Sequence, residues 1–458
     1  MSLDRPIGDG PIHIAGGGPT GTLLAILLNA RGHSHIDLFE ARPDPRLAQG
    51  QSGRSINLAL ADRGIHALKS AGLFERLGTS LLPMRGRCIH VDGGTTFQPY
   101  GQRPNEVNYS ISRLRLNQAL IEIAADHAGI HLHFEHRLDA VDFHSSSASI
   151  RDLRAGRTLI VPMQPLLACD GAGSTMRRRM HAARIIDAQE VDLEHGYKEL
   201  SIPPTANGAW AFTADALHIW PRGNFMLIAL PNEDGSLTAT LFLPKRGNPS
   251  FESLRDASAV GAFLSANFAD AFAAMPDCVA EFMAHPLGSL GSVSAAPWHA
   301  SGQALLLGDA AHAMVPFHGQ GMNCCFEDCI EFDRCVARHS SWQAAFSDFS
   351  AARKPNTDAI GAMALENYLE MRSQVADPKF QLQQALSLEL ERRFPQRFIP
   401  RYSMVMFHHE IPYRTAQERG AVQAAILESL TVGTVSTLQD VDFERAEREI
   451  RARLEPLS

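Results

Sequence analysis

The chain has 458 residues and a mass of 50.0 kDa, more than one ordinary core accommodates, so two or three domains are expected. It is 45% hydrophobic and 20% charged with a net charge of −8, which excludes a disordered or fibrous protein and argues against nucleic acid or an anionic membrane as the main partner. The seven cysteines include Cys324, Cys325, Cys329 and Cys335 but no C-x-x-C pair; their spacing reads as small apolar positions on a buried helix face, so no metal is assigned and the compartment is read as reducing.

The N-terminus carries Asp4 and has no basic segment leading into an apolar one, which speaks against a secretory signal. Apolar runs such as 23–28 are far short of the roughly 18 to 20 residues a membrane span needs. Residues 11–40 read as strand, tight turn, helix and strand, the length of one βαβ unit. Gly16, Gly18 and Gly21 form G-x-G-x-x-G between an apolar strand at 12–15 and a helix at 22–29. The first glycine permits the turn, the second lets backbone approach a pyrophosphate, and the third lets helix pack on strand. Glu40 ends the next strand, where a carboxylate can accept from a ribose hydroxyl. The motif identifies a dinucleotide without separating FAD from NAD.

Residues 85–100 alternate around Asp92, Gly93 and Gly94 and predict a hairpin; a two-residue turn at Gly93 and Gly94 would set Arg87 directly opposite Tyr100. Asp170, Gly171 and Arg177 follow a strand at 165–169, with Arg177 a candidate pyrophosphate contact. A second hairpin is expected at 225–244. Gly308, Asp309, Ala310, Ala311 and His312 then follow an apolar strand, and Asp309 can accept from a ribityl hydroxyl. At Pro316, Phe317, His318, Gly319, Gln320, Gly321, Met322 and Asn323 the chain bends into a helix whose first amides could face the pyrimidine edge of a flavin. Two glycine-rich ends some 290 residues apart imply one long cofactor touched at both ends, hence FAD. From about residue 341 the pattern is mainly helical.

This order of motifs resembles the class A flavoprotein monooxygenases, the fold group of para-hydroxybenzoate hydroxylase. Within that group the chain looks like the kynurenine 3-monooxygenase family, through residues 54–60 with Arg63 and Gly64, 83–87, Ile89 and His90, 99–101, 197–200 and 315–323. The resemblance implies tightly bound, non-covalent FAD, NADPH as transient reductant, O2 as oxidant, a flavin C4a-hydroperoxide as oxygen donor and L-kynurenine as substrate. It places Arg113 against the flavin cofactor, Arg87 and Tyr100 on the substrate carboxylate, Asn367 near the substrate amino acid and Tyr402 closing the pocket; Phe317 and His318, read from the bend itself, are further substrate-site candidates. Phe317, Pro316 and Met322 are plausible walls of a dry reaction space. Eukaryotic relatives end in a membrane anchor absent here, so a soluble cytoplasmic form is expected, with a homodimer allowed.

The expected fold is α/β: a Rossmann-type FAD-binding domain (1–72, 105–180, 290–345) interleaved with a β-sheet substrate domain (73–104, 181–289), followed by a mainly helical C-terminal region (346–458). The rivals are a class A hydroxylase acting on another aromatic carboxylic acid and a non-catalytic flavin-binding protein.

Overall fold

Ile12, His13, Ile14 and Ala15 are all buried, as the centre of a parallel sheet covered on both faces requires. The strand Ile12–Ala15 pairs in parallel with Ile36–Glu40 on one side and Leu166–Ala168 on the other. The computed structural model describes residues 7–8, 10–47, 57–91, 94–375, 377–433 and 435–457. In it these strands form the middle of a six-stranded sheet ordered His299–Ala300, Ala304–Leu306, Leu166–Ala168, Ile12–Ala15, Ile36–Glu40, Ile130–Phe134, in which only His299–Ala300 runs antiparallel to its neighbour. The first helix spans Pro19–Ala30 and so starts three residues before the expected 22–29. Proline is at home there, because its fixed φ suits a first turn and its missing N–H has no intrahelical partner to lose.

The chain divides into two compact units, the first made of 1–80, 111–192 and 291–361, the second of 81–110, 193–290 and 362–458. The first holds the parallel sheet, and a small antiparallel one ordered Thr158–Pro162, Ser147–Asp152, His136–Asp142. In this unit the helix Gly321–Arg338 buries Cys324, Cys325, Cys329 and Cys335, the apolar role expected of them. The second unit is organised on a sheet whose strands are ordered 195–202, Leu237–Pro244, Met226–Pro231, Ala216–Pro221, Gly86–Val91, Gly94–Pro99. One face of it is closed by helices Ala257–Asn267, Ala269–Ala274 and Cys278–Ala284, which bring Phe263, Phe268 and Phe282 onto Trp220, Leu227 and Leu241. Its C-terminal helices make a separate core around Leu386, Leu390, Ile426 and Ile450.

The hairpin Gly86–Val91 with Gly94–Pro99 forms where expected but in a different register. Val91 pairs with Gly94 and Arg87 with Gln98, not with Tyr100. Gly94 takes φ +148, an angle only glycine tolerates well, and joins the ladder instead of the turn. Asp92, Gly93 and the expected family stretch at 54–56 lie outside the described residues.

Candidate functional site

In the first unit a groove of about 930 Å³ runs along the C-terminal ends of the parallel strands. Gly16, Gly18, Glu40, Arg113, Asp170 and Asp309 all line it, so six residues chosen from four separate stretches of sequence meet at one surface. Gly16 has φ +105, and a Cβ on it would run into the Cys169 carbonyl. A Cβ on Gly21 would run into the Gly16 carbonyl, which is why that glycine sits behind the groove rather than in it. Around Gly18 there is space, with only Arg42 Nη2 at 4.0 Å from the site of a Cβ.

Glu40 is buried and already accepts four hydrogen bonds: Gly17 N at 2.8 Å and Arg42 Nη2 at 3.2 Å on Oε2, Arg42 N and Nε at 2.8 Å on Oε1. Burial alone would raise its pKa, but the Arg42 and Gly17 donors hold it below the ordinary carboxylate value. Arg42, which sequence reasoning missed, is mostly exposed and makes the longest of the four bonds, so a ribose hydroxyl can take its place on Oε2.

Asp170 accepts from the amides of Thr175 and Met176 through Oδ2, while its Oδ1 is buried with no hydrogen-bond partner. Burial pushes its pKa up. An orphaned carboxylate oxygen, a glycine-lined floor and the exposed Arg113 suit a long dinucleotide that carries hydroxyls and phosphates. Arg177 does not reach the groove: it is 1% exposed and spends its guanidinium on the carbonyls of Ala310 and Ala172 and on Glu190. It braces the loop that carries Asp170 instead of meeting a phosphate.

Pro316, Gly321, Met322 and Asn323 lie off the lining of that groove, at the bend Pro316–His318 and the start of helix Gly321–Arg338. Phe317 and His318 are buried there. The Asn323 side chain accepts from Ala61 N at 2.9 Å and donates to the carbonyls of Ala59 and Gly319, both at 2.8 Å. Its amide is spent on the chain, and only backbone N–H groups of this helix start are left to face a ligand.

The second unit gathers Arg87, Tyr100 and Tyr402. The Arg87 guanidinium carbon lies 4.8 Å from the Tyr402 ring centre and 5.9 Å from that of Tyr100, and the two rings stack at 5.4 Å. Tyr100 reaches Arg87 as a diagonal neighbour, two places beyond Gln98 on the same face. Arg87 is 8% exposed, bonds Glu370 Oε1 through Nη1 at 3.2 Å, and keeps Nε buried with no hydrogen-bond partner. Burial works against its charge, but Tyr402, Glu370 and Tyr100 hold its pKa above the ordinary arginine value. Glu370 is the residue that sequence reasoning missed here: it opens a π-helical turn, Glu370–Gln374, three residues after the buried Asn367. Nothing in the local pattern separates it from a solvated helix glutamate, and only the turn brings it to Arg87.

Residues 9–345 match the FAD binding domain family. Over nearly the whole chain the protein is similar to the kynurenine 3-monooxygenases of Stenotrophomonas maltophilia (46% identical over 444 residues, 97% of both chains) and Myxococcus xanthus (44% over 446 residues, 97% of this chain and 96% of the relative). Among solved structures it resembles 2-methyl-3-hydroxypyridine-5-carboxylic acid oxygenase (18% identical, TM-score 0.63, 83% of this chain and 97% of that one) and p-nitrophenol 4-monooxygenase from Pseudomonas putida (15% identical, TM-score 0.65, 83% and 93%), a likeness of fold.

Proposed function

The chain belongs to the kynurenine 3-monooxygenase family of FAD-dependent enzymes, and on that premise we propose how its own residues serve the hydroxylation of L-kynurenine to 3-hydroxy-L-kynurenine with NADPH and O2. FAD, when bound, would supply the redox chemistry that couples oxidation of NADPH to activation of O2. Gly16, Gly18 and the amides at the start of helix Pro19–Ala30 seat its pyrophosphate with Arg113, while Glu40 takes the adenosine ribose and Asp309 a ribityl hydroxyl. The orphaned Oδ1 of Asp170 is a further acceptor for a hydroxyl.

The observation that carries the substrate reading is the unpaired Nε of Arg87, a buried donor flanked by two tyrosines. A carboxylate placed on Nε and Nη gains a charge-assisted fork beside the Tyr100 and Tyr402 rings. Glu370, beside the same guanidinium, then faces the neighbouring ammonium of an α-amino acid, and Asn367 lies one helical turn away. Together they distinguish an amino acid from a simple aromatic acid, which has no ammonium to offer. Phe317, Pro316 and Met322 are the proposed walls that keep water from the reacting ring. All seven cysteines are unpaired, which supports a reducing, cytoplasmic setting, and among the described residues no helix is long and apolar enough to cross a membrane.

The test is to supply the purified, flavin-loaded protein with NADPH, with and without L-kynurenine, and to follow oxygen uptake and product mass. Kynurenine-dependent uptake with a product one oxygen heavier is the expected result. Uptake without that product overturns the substrate assignment.

A further inference from the structure

On the face of the second unit's sheet that its helices cover, three side chains form a hydrogen-bonded row that the reaction does not use. His90 Nδ1 lies 2.9 Å from Asp270 Oδ2, His90 Nε2 lies 2.9 Å from His218 Nδ1, and His218 Nε2 lies 2.8 Å from the Thr213 carbonyl. His90 and His218 are 5% and 1% exposed, so solvent does not rescue the contact between the two rings if it goes unmade, while the Asp270 side chain at the end of the row is 49% exposed. Trp220 stacks on His90 at 4.1 Å between ring centres and donates its indole N–H to both oxygens of Asp270.

Each of the three contacts needs one hydrogen. The Thr213 carbonyl can only accept, so His218 Nε2 carries a proton. Asp270, holding the Trp220 donor, accepts as a carboxylate, so His90 Nδ1 carries another. The nitrogen-to-nitrogen contact needs one more, neither none nor two. Three protons on four ring nitrogens are one more than two neutral imidazoles possess. Two neutral rings leave one buried contact with lone pair facing lone pair, and two charged rings set N–H against N–H.

We infer that His90 and His218 bind one proton between them as a single shared cation, with Asp270 as its counterion. Thr95 Oγ1, 3.3 Å from His90 Nδ1, is a hydroxyl that accepts from a protonated Nδ1 and donates to an unprotonated one, so it does not set the count, which rests on the three shorter contacts. The other charged groups facing the pair are Asp215, before strand Ala216–Pro221, and Arg222 after it, which donates to the His90 carbonyl at 3.1 Å. Burial pulls both rings below their ordinary value, His218 to about 4, while Asp270 acts the other way on His90. Burial alone would leave both rings neutral, but that arrangement fails one of three close contacts, and the hydrogen-bond count decides.

The consequence is a site that takes up one proton on folding and refuses a second. Unfolded histidines titrate near 6.5. Above that pH the unfolded chain holds fewer protons than the folded pair, so stability falls as pH rises. Below it the unfolded chain holds more, so stability falls as pH drops. The network contributes most near pH 6.5. Strand Gly86–Val91 carries both His90 and the substrate residue Arg87, so the site braces the strand that presents Arg87.

Asp270→Asn tests this with almost no change of shape. The introduced amide can turn its NH2 toward His90 Nδ1 and still accept from Trp220, so two neutral rings then satisfy every contact. In the flavin-loaded protein with 15N-labelled histidine at pH 7.5, three of the four ring nitrogens are expected in the protonated range in the wild type and two in the variant. Proton uptake on folding at pH 8, read from the pH dependence of thermal unfolding, should be lower by about one proton in the variant. Two neutral rings in the wild-type spectrum overturn the inference even if the variant fails to fold, and so do equal pH slopes in the two proteins.

Discussion

The guanidinium of Arg87 touches one carboxylate and two phenol rings and still has an unpaired Nε, so its loss separates binding from cofactor content. Arg87→Ala should raise the KM for kynurenine about 10- to 100-fold, the worth of a hydrogen bond to a charged group, and leave bound flavin per chain unchanged. Steady-state kinetics beside a flavin absorbance ratio checks both parts, and an unchanged KM rejects the carboxylate role. Gly17 tests the other end. A Cβ there would lie 2.8 Å from both Glu40 Cβ and Leu38 Cδ2, so Gly17→Ala should shift the carboxylate meant for the ribose. Overpacking of this kind costs about 1–3 kcal/mol, and FAD affinity, measured by fluorescence titration of the apoprotein, should weaken about tenfold. The glycine spacing was legible from sequence because it reflects backbone geometry within six residues. Glu370 was not, because its role depends on a strand almost three hundred residues earlier.

At the scale of elements, the helices Asp309–His312, Gly321–Arg338 and Trp342–Leu369 are joined through one buried carboxylate. Asp328 accepts from His312 Nε2 at 2.6 Å and from Arg353 Nε at 2.7 Å and is fully buried. Burial alone would raise its pKa, but His312 and Arg353 outweigh it and hold it below the ordinary value. A depressed carboxylate pKa contributes stability that is present above the unfolded value of about 3.9 and is lost as pH falls through the folded one. Asp328→Asn removes the shared partner of His312 and of Arg353 Nε, while Arg353 Nη1 keeps Glu327 at 2.8 Å, and should cost about 1–3 kcal/mol, seen as a lower urea midpoint at pH 7. The difference from wild type should shrink below about pH 4; a constant difference across pH would reject the ion-pair account. The hairpin carrying Arg87 shows how far element-level reading reaches. Alternation and glycines located both strands, whereas register was settled by Gly94, whose φ of +148 lets it enter the ladder.

At the scale of the molecule, the groove proposed for FAD in the first unit exists only when strands from positions near 12, 36, 166 and 304 stand side by side. A ligand that binds only the folded chain stabilises it by about 2.7 kcal/mol at 100 times its Kd. Removing FAD should therefore lower the unfolding temperature of the first unit by about 5–10 °C for a unit of this size, measured by calorimetry on protein with and without added FAD. An unchanged transition would place the cofactor elsewhere.

By itself the sequence determined the α/β class and the family and located the glycine-rich turn at Gly16 and Gly18 that lines the groove, since these rest on turns, periodicities and local motifs that a short segment imposes on its own backbone. Tertiary structure alone decided that Arg177 braces a loop, that the Asn323 side chain serves the chain, that Glu370 meets Arg87, and that His90, His218 and Asp270 align. Each of those depends on which distant groups share a buried space, and there a hydrogen bond must find its partner within about 3 Å or be left unmade.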